Sequence, residues 1–155
     1  MVTRLSALAL CLGLALPLQA QTLDLPDQPQ TARLVWSTLV ALDQANRTGN
    51  YTVLRDLGAP GFQQANTAAD LAAIFANLRA SDPGLGQVLN LEPAYREPPR
   101  LTDTGQLYIT GQFSARPTGV SFELLFESHA GEWRLFGISV GPISATELPP
   151  AEPAP

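Results

Sequence analysis

Lysine is absent from this chain, and histidine and cysteine occur once each, at His129 and Cys11. Nine scattered arginines face fourteen carboxylates with no basic cluster, which argues against nucleic acid and anionic lipid headgroups as partners. Transition-metal centres commonly draw on several His and Cys ligands, so one of each predicts no metal site. No motif implies a cofactor. Cys11 sits inside an apolar run behind Leu10, where a lipidation site would need a small residue before it, and reads as one more apolar side chain. Without the first twenty residues the chain has no cysteine at all, which excludes a disulfide and a thiolate nucleophile. The fold must then be held by a packed core.

Those first twenty residues, MVTRLSALALCLGLALPLQA, have the form of an export signal. One positive charge, Arg4, precedes an apolar run from Ala7 to Leu18, and Pro17 breaks that run just before Ala20. Cleavage is expected between Ala20 and Gln21, with Leu18 an imperfect fit to the small residue favoured three positions before the cut. About 12 apolar residues fall short of the ~20 needed to cross a bilayer, so no stable membrane span is expected once the signal is removed. Removal takes Arg4 with it and leaves eight arginines against fourteen carboxylates, a net side-chain charge of −6. The expected location is periplasmic or secreted, and the all-arginine basic complement with a short signal points to a bacterium. Residues 21–30 read as an extended leader, 31–143 as one domain, and 144–155 as a proline-rich disordered tail.

The first half of the domain is helical by period. Leu34, Val35, Thr38, Leu39 and Leu42 fall on one face of a helix that Gly49 should stop, and Asn50 can cap a short successor, YTVLRDL. The stretch GAPGFQQAN should not remain helical through Pro60 and two glycines. Thr67 and Asp70 resemble a capping box before a helix with Leu71, Ile74, Phe75 and Leu78 on one stripe, which SDPG ends. Asn46-Arg47-Thr48 matches a glycosylation acceptor, but it closes the first helix and matters only in a eukaryotic secretory route.

The second half switches to period two. QVLNLE is a weak first strand, and QLYITGQFSA alternates Leu107, Ile109, Gly111 and Phe113 against Tyr108, Thr110, Gln112 and Ser114. GVSFELLFESHAGEWRLFGISV reads as a hairpin. A two-residue turn at Ala130-Gly131 sets His129 opposite Glu132 and Glu127 opposite Arg134. One face then carries Val120, Phe122, Leu124, Phe126, Trp133 and Leu135 towards the helices. The other carries Glu123, Glu127, His129 and Arg134 with Leu125, Phe136, Ile138 and Val140. His129 reads as a turn residue, because a general base needs a positioned substrate and usually a cleft. The four apolar residues of the second face mark either a surface that the chain's own ends cover or a face for self-association as a homodimer. Helices first and strands after predict an α+β fold, with N-terminal helices packed on a curved antiparallel sheet.

The order of elements resembles the cystatin-like cone superfamily, which includes the nuclear transport factor two-like, SnoaL-like and ketosteroid isomerase-like proteins. The resemblance is carried by Gly131, Trp133, Arg134 and Leu135 in the closing strand and by Gly49, Asn50 and Tyr51 after the first helix. It implies a cone whose interior is lined by Tyr51, Tyr108, Phe122, Leu124, Phe126 and Trp133. Enzymes of that superfamily place Asp, His or Tyr groups inside the cone, whereas the polar groups expected among these aromatics are Ser128 and Ser139. Tyr51, Tyr95 and Tyr108 are the available hydroxyls. The first expectation is therefore a non-catalytic periplasmic or secreted domain that binds a small apolar molecule or an envelope protein. An isomerase- or dehydratase-like enzyme using His129, Glu123 or a tyrosine is one alternative, and a structural subunit of an envelope complex is another.

Overall fold

The computed structural model describes residues 24–144. The expected signal segment with its Ala20/Gln21 cut and the proline-rich tail from residue 145 lie outside the described residues. Helix α1, Gln28–Thr48, begins three residues inside the stretch read as an extended leader. The side chain of Asp27 accepts from the Gln30 N–H at 2.8 Å, and Pro29 falls in the first turn, where its missing N–H costs nothing. Thr31, Val35, Thr38, Leu39, Leu42 and Ala45 form its buried stripe. Gly49, at φ 73°, ends it by donating to Ala45 O.

Short helices follow. Helix α2, Thr52–Asp56, has Tyr51 at its cap position, while the Asn50 side chain accepts from the Thr52 N–H at 3.0 Å. The chain then extends through Gly58 and Ala59 and becomes helical again in α3, Pro60–Ala65. That overturns the expectation that GAPGFQQAN is non-helical: Pro60 interrupts the preceding turn but starts a new one at the first helical position. The capping box forms as read, Thr67 accepting from the Asp70 N–H and Asp70 from the Thr67 N–H. Bonds from the Thr67 hydroxyl and N–H hold the Asp70 carboxyl below its ordinary pKa. The helix it opens is divided at Phe75 into α4, Ala68–Ile74, and α5, Ala76–Ser81. Leu71, Phe75 and Leu78 are buried, but Ile74 is 60% exposed and leaves the expected stripe.

QVLNLE is not a strand. Leu85–Asn90 winds as a 3₁₀ helix, with Leu85 and Val88 buried and Leu91 against the core, a spacing of three. The antiparallel sheet begins with two short strands, β1 (Ala94–Tyr95) and β2 (Arg100–Leu101), both paired with β3 (Leu107–Phe113). Next come β4 (Thr118–His129) and β5 (Glu132–Ser144), giving the order β1-β3-β4-β5. The fold is thus α+β with an open antiparallel sheet. Gly111 allows close packing, since a Cβ there would lie 2.7 Å from both Ala94 O and the Phe122 ring.

The β4–β5 hairpin has the register read from the sequence: His129 faces Glu132, Ser128 faces Trp133 and Glu127 faces Arg134. Ala130 and Gly131 both take positive φ, 51° and 80°, as a type I′ turn requires. Beyond Leu135 the register shifts by one. Phe126 pairs Leu135 but Leu125 pairs Gly137, so Phe136 is the extra residue of a β-bulge. This corrects the expected faces. Ile138 and Val140 lie opposite Leu124 and Phe122, on the core side, and Ser139 lies opposite Glu123, on the outer side. Phe136 turns towards α3, its ring 3.3 Å from where a Gly61 Cβ would sit. Leu125, Phe136, Ile138 and Val140 therefore do not share a face.

Candidate functional site

The expected interior lining is solid core. Tyr51, Phe122, Leu124 and Phe126 are at most 2% exposed and belong to one hydrophobic cluster with Leu39, Leu42, Leu54 and Phe113. The Phe122 ring packs on Phe113 with centroids 5.5 Å apart. Tyr51 has its hydroxyl fully engaged, donating to Asn46 Oδ1 and accepting from Arg79 Nη1, each at 2.7 Å, while its ring stacks on Phe75. The Tyr51 hydroxyl thus ties α1 to α5. Tyr108 departs from the expected lining: it pairs Leu125, on the face away from Phe122 and Leu124, and the Arg100 guanidinium lies 4.8 Å from its ring centroid. Strand alternation decides this, because Tyr108 and Ile109 must point to opposite faces. Trp133 is only half-buried at the rim.

The titratable groups do not converge on the interior. His129 is exposed at the hairpin end, and Glu123 is exposed on the outer face. Arg134 faces Glu127, but its guanidinium donates instead to Asp56 O at 2.8 Å. Tyr95 has its hydroxyl raised above the ordinary range by burial first and by the charge of Glu92 second, so it stays protonated. Among the described residues that buried hydroxyl has no hydrogen-bond partner, nor has the buried Trp36 indole N–H. Among the described residues no group of three or more His, Cys, Asp and Glu side chains is placed to hold a metal ion. Among the same residues no helix is long and apolar enough to cross a membrane.

Among the surface clefts of the described residues, two border β5. One, of about 710 Å³, lies between the start of α1 and the hairpin tip, with Leu34 and Trp133 beside Asp24, Asp27, Arg33 and Glu132. The other, of about 450 Å³, runs between α4–α5 and the second half of β5. Its apolar walls are Ile74, Phe75 and Leu78 on the helices and Ile138, Val140 and Pro142 on the strand, with Asn77, Ser81 and Ser139 as neutral polar groups. Ile138 and Val140, expected on the outer face, are thus brought by the bulge to a groove with the helices. The sequence reading missed Ile74 as a groove residue because it placed that side chain in the core. A glycine inside an otherwise apolar strand, Gly137, was the available signal for the bulge. Comparison with protein-family models, curated proteins and solved structures finds no match to this chain.

Proposed function

We propose that this chain is a non-catalytic periplasmic or secreted domain of the cystatin-like cone type, and that it binds a partner protein at the groove between α4–α5 and β5. The observation that carries this reading is the contrast between a filled interior and an open apolar groove. Phe122, Leu124 and Phe126 fill the space that a small apolar ligand would occupy in a cone, whereas Ile74 stands 60% exposed beside half-buried Ile138 and Val140. Apolar side chains from two elements gathered along one open cleft support this as the interaction surface. An isomerase- or dehydratase-like reading needs an acid or base beside a substrate cavity, and His129 and Glu123 both lie away from the core. The export assignment rests on the Arg4-to-Ala20 segment alone.

A photo-crosslinking amino acid placed at position 74 in the producing cell tests the reading. A discrete heavier species is expected from position 74 and not from position 89, where Leu89 is comparably exposed but lies on the 3₁₀ helix. Equal crosslinking from both positions, or none from position 74, would refute partner binding at the groove.

A further inference from the structure

We propose that the partner at this groove presents an extended segment that joins the outer edge of β5 between Gly137 and Ile143 as an added strand, with alternate apolar side chains inserted between α4–α5 and Ile138/Val140. This rests on the partner-binding reading above and names the form the partner takes. Strand β5 ends the strand order, with β4 as its one strand neighbour among the described residues. The outer edge is occupied at one point, Leu135, where Gly58 bridges in parallel and the Ala59 N–H donates to Leu135 O at 2.7 Å. From Gly137 to Ile143 no further described element pairs with that edge.

Three observations make this edge a docking site for a strand. First, Ile138, Ser139, Val140 and Pro142 all line the groove, although successive residues of a strand point to opposite faces. A cleft that meets both parities lies along the strand's edge, beside its backbone. Second, Gly137–Ile143 carries no charged residue, and Pro142 is the single edge-blocking residue in it. Third, the helical wall supplies Ile74, Phe75 and Leu78 at side-chain distance from that edge, with neutral Asn77, Ser81 and Ser139 around them. An edge backbone with an apolar recess alongside is the geometry in which main-chain hydrogen bonds give affinity and recesses for alternate side chains give selectivity.

The chemistry of the groove selects the occupant. Its lining has no charge, so the inserted side chains are apolar and sit at every second position. Of the residues that follow β5, Pro149, Pro150, Pro153 and Pro155 have no N–H to donate to a ladder. The proposed occupant is a segment of another protein, extended and alternately apolar.

The test uses the intact purified protein with two blocked synthetic peptides. One alternates valine and threonine; in the other, proline replaces each threonine. The first peptide is expected to slow amide exchange about tenfold or more at Gly137–Gly141 while leaving β3 unchanged, and the proline peptide should have no effect. Ile74→Ser removes apolar contact from an exposed position and should weaken the first peptide about tenfold without unfolding the protein. Binding without protection of the β5 amides, or equal binding of the proline peptide, would overturn strand addition while leaving the crosslink at position 74, and with it the partner reading, intact. Failure of both peptides to bind, or a stable homodimer whose own β5 edges are protected, would also overturn it. Loss of the position-74 crosslink would instead remove the partner reading itself.

Discussion

The two halves of β5 differ in composition, Glu132–Leu135 carrying two charges and Gly137–Ile143 none, and they stand in opposite situations. Glu132–Leu135 is fastened from every side: it pairs with β4 in the register set by the turn, Gly58 and Ala59 sit on its edge at Leu135, and Arg134 reaches across to Asp56 O. Among the described residues Gly137–Ile143 pairs with β4 only, and its apolar residues border a groove. The bulge at Phe136 separates them. One extra residue both moves Ile138 and Val140 to the helix side and bends the strand where the α2–α3 connection leaves its edge. A single insertion thus separates a tied stretch of strand from one with an accessible margin.

The comparison can be broken by substitution, and the largest effect should come from the core that both halves share. Phe122→Ala is expected to cost about 3–5 kcal/mol in chemical denaturation, since the ring is 1% exposed and packs on Phe113. A much smaller loss would show that the interior is not filled, and would restore the small-ligand reading. Trp133→Ala, in the tied half but only half-buried, should cost about 1–2 kcal/mol. A loss as large as that of Phe122→Ala would place the indole in the core. Arg134→Ala removes the hydrogen bond to Asp56 O and should cost about 0.5–1.5 kcal/mol, with faster amide exchange at Ala59 if the α2–α3 connection loosens. Unchanged exchange at Ala59 would mean that the Leu135 bridge holds without it. His129→Ala, at the exposed end of the hairpin, should change stability by no more than about 0.5 kcal/mol. A larger loss would give His129 a role beyond the turn.

Much of this arrangement was legible in the sequence. The capping box at Thr67 and Asp70, the stop at Gly49 and the hairpin register around Ala130-Gly131 are local events, each settled by a few neighbouring residues. The apolar face of β3 and β4 followed from strict alternation. What escaped was whatever depends on a second element. The two-residue strands β1 and β2 are too short, and too closely flanked by Pro93, Pro98 and Pro99, to show a period, and they exist because β3 offers them an edge. Leu85, Val88 and Leu91 follow a period of three that short apolar runs do not distinguish from a strand. The groove was invisible for the same reason: its strand wall depended on the bulge, and its helical wall on the break at Phe75 that turns Ile74 outwards.

By itself, the sequence determined the class of fold, the stop of the first helix at Gly49, the hairpin turn, and the absence of cysteine from the domain. Caps, turns and alternation act over a handful of bonds, so their signals are written where they operate. Tertiary structure alone decided that the interior is filled and that Ile138 and Val140 meet Ile74 across a groove. A one-residue shift in pairing reverses every side chain beyond it, and whether that shift is stable depends on what packs against the strand from elsewhere in the chain.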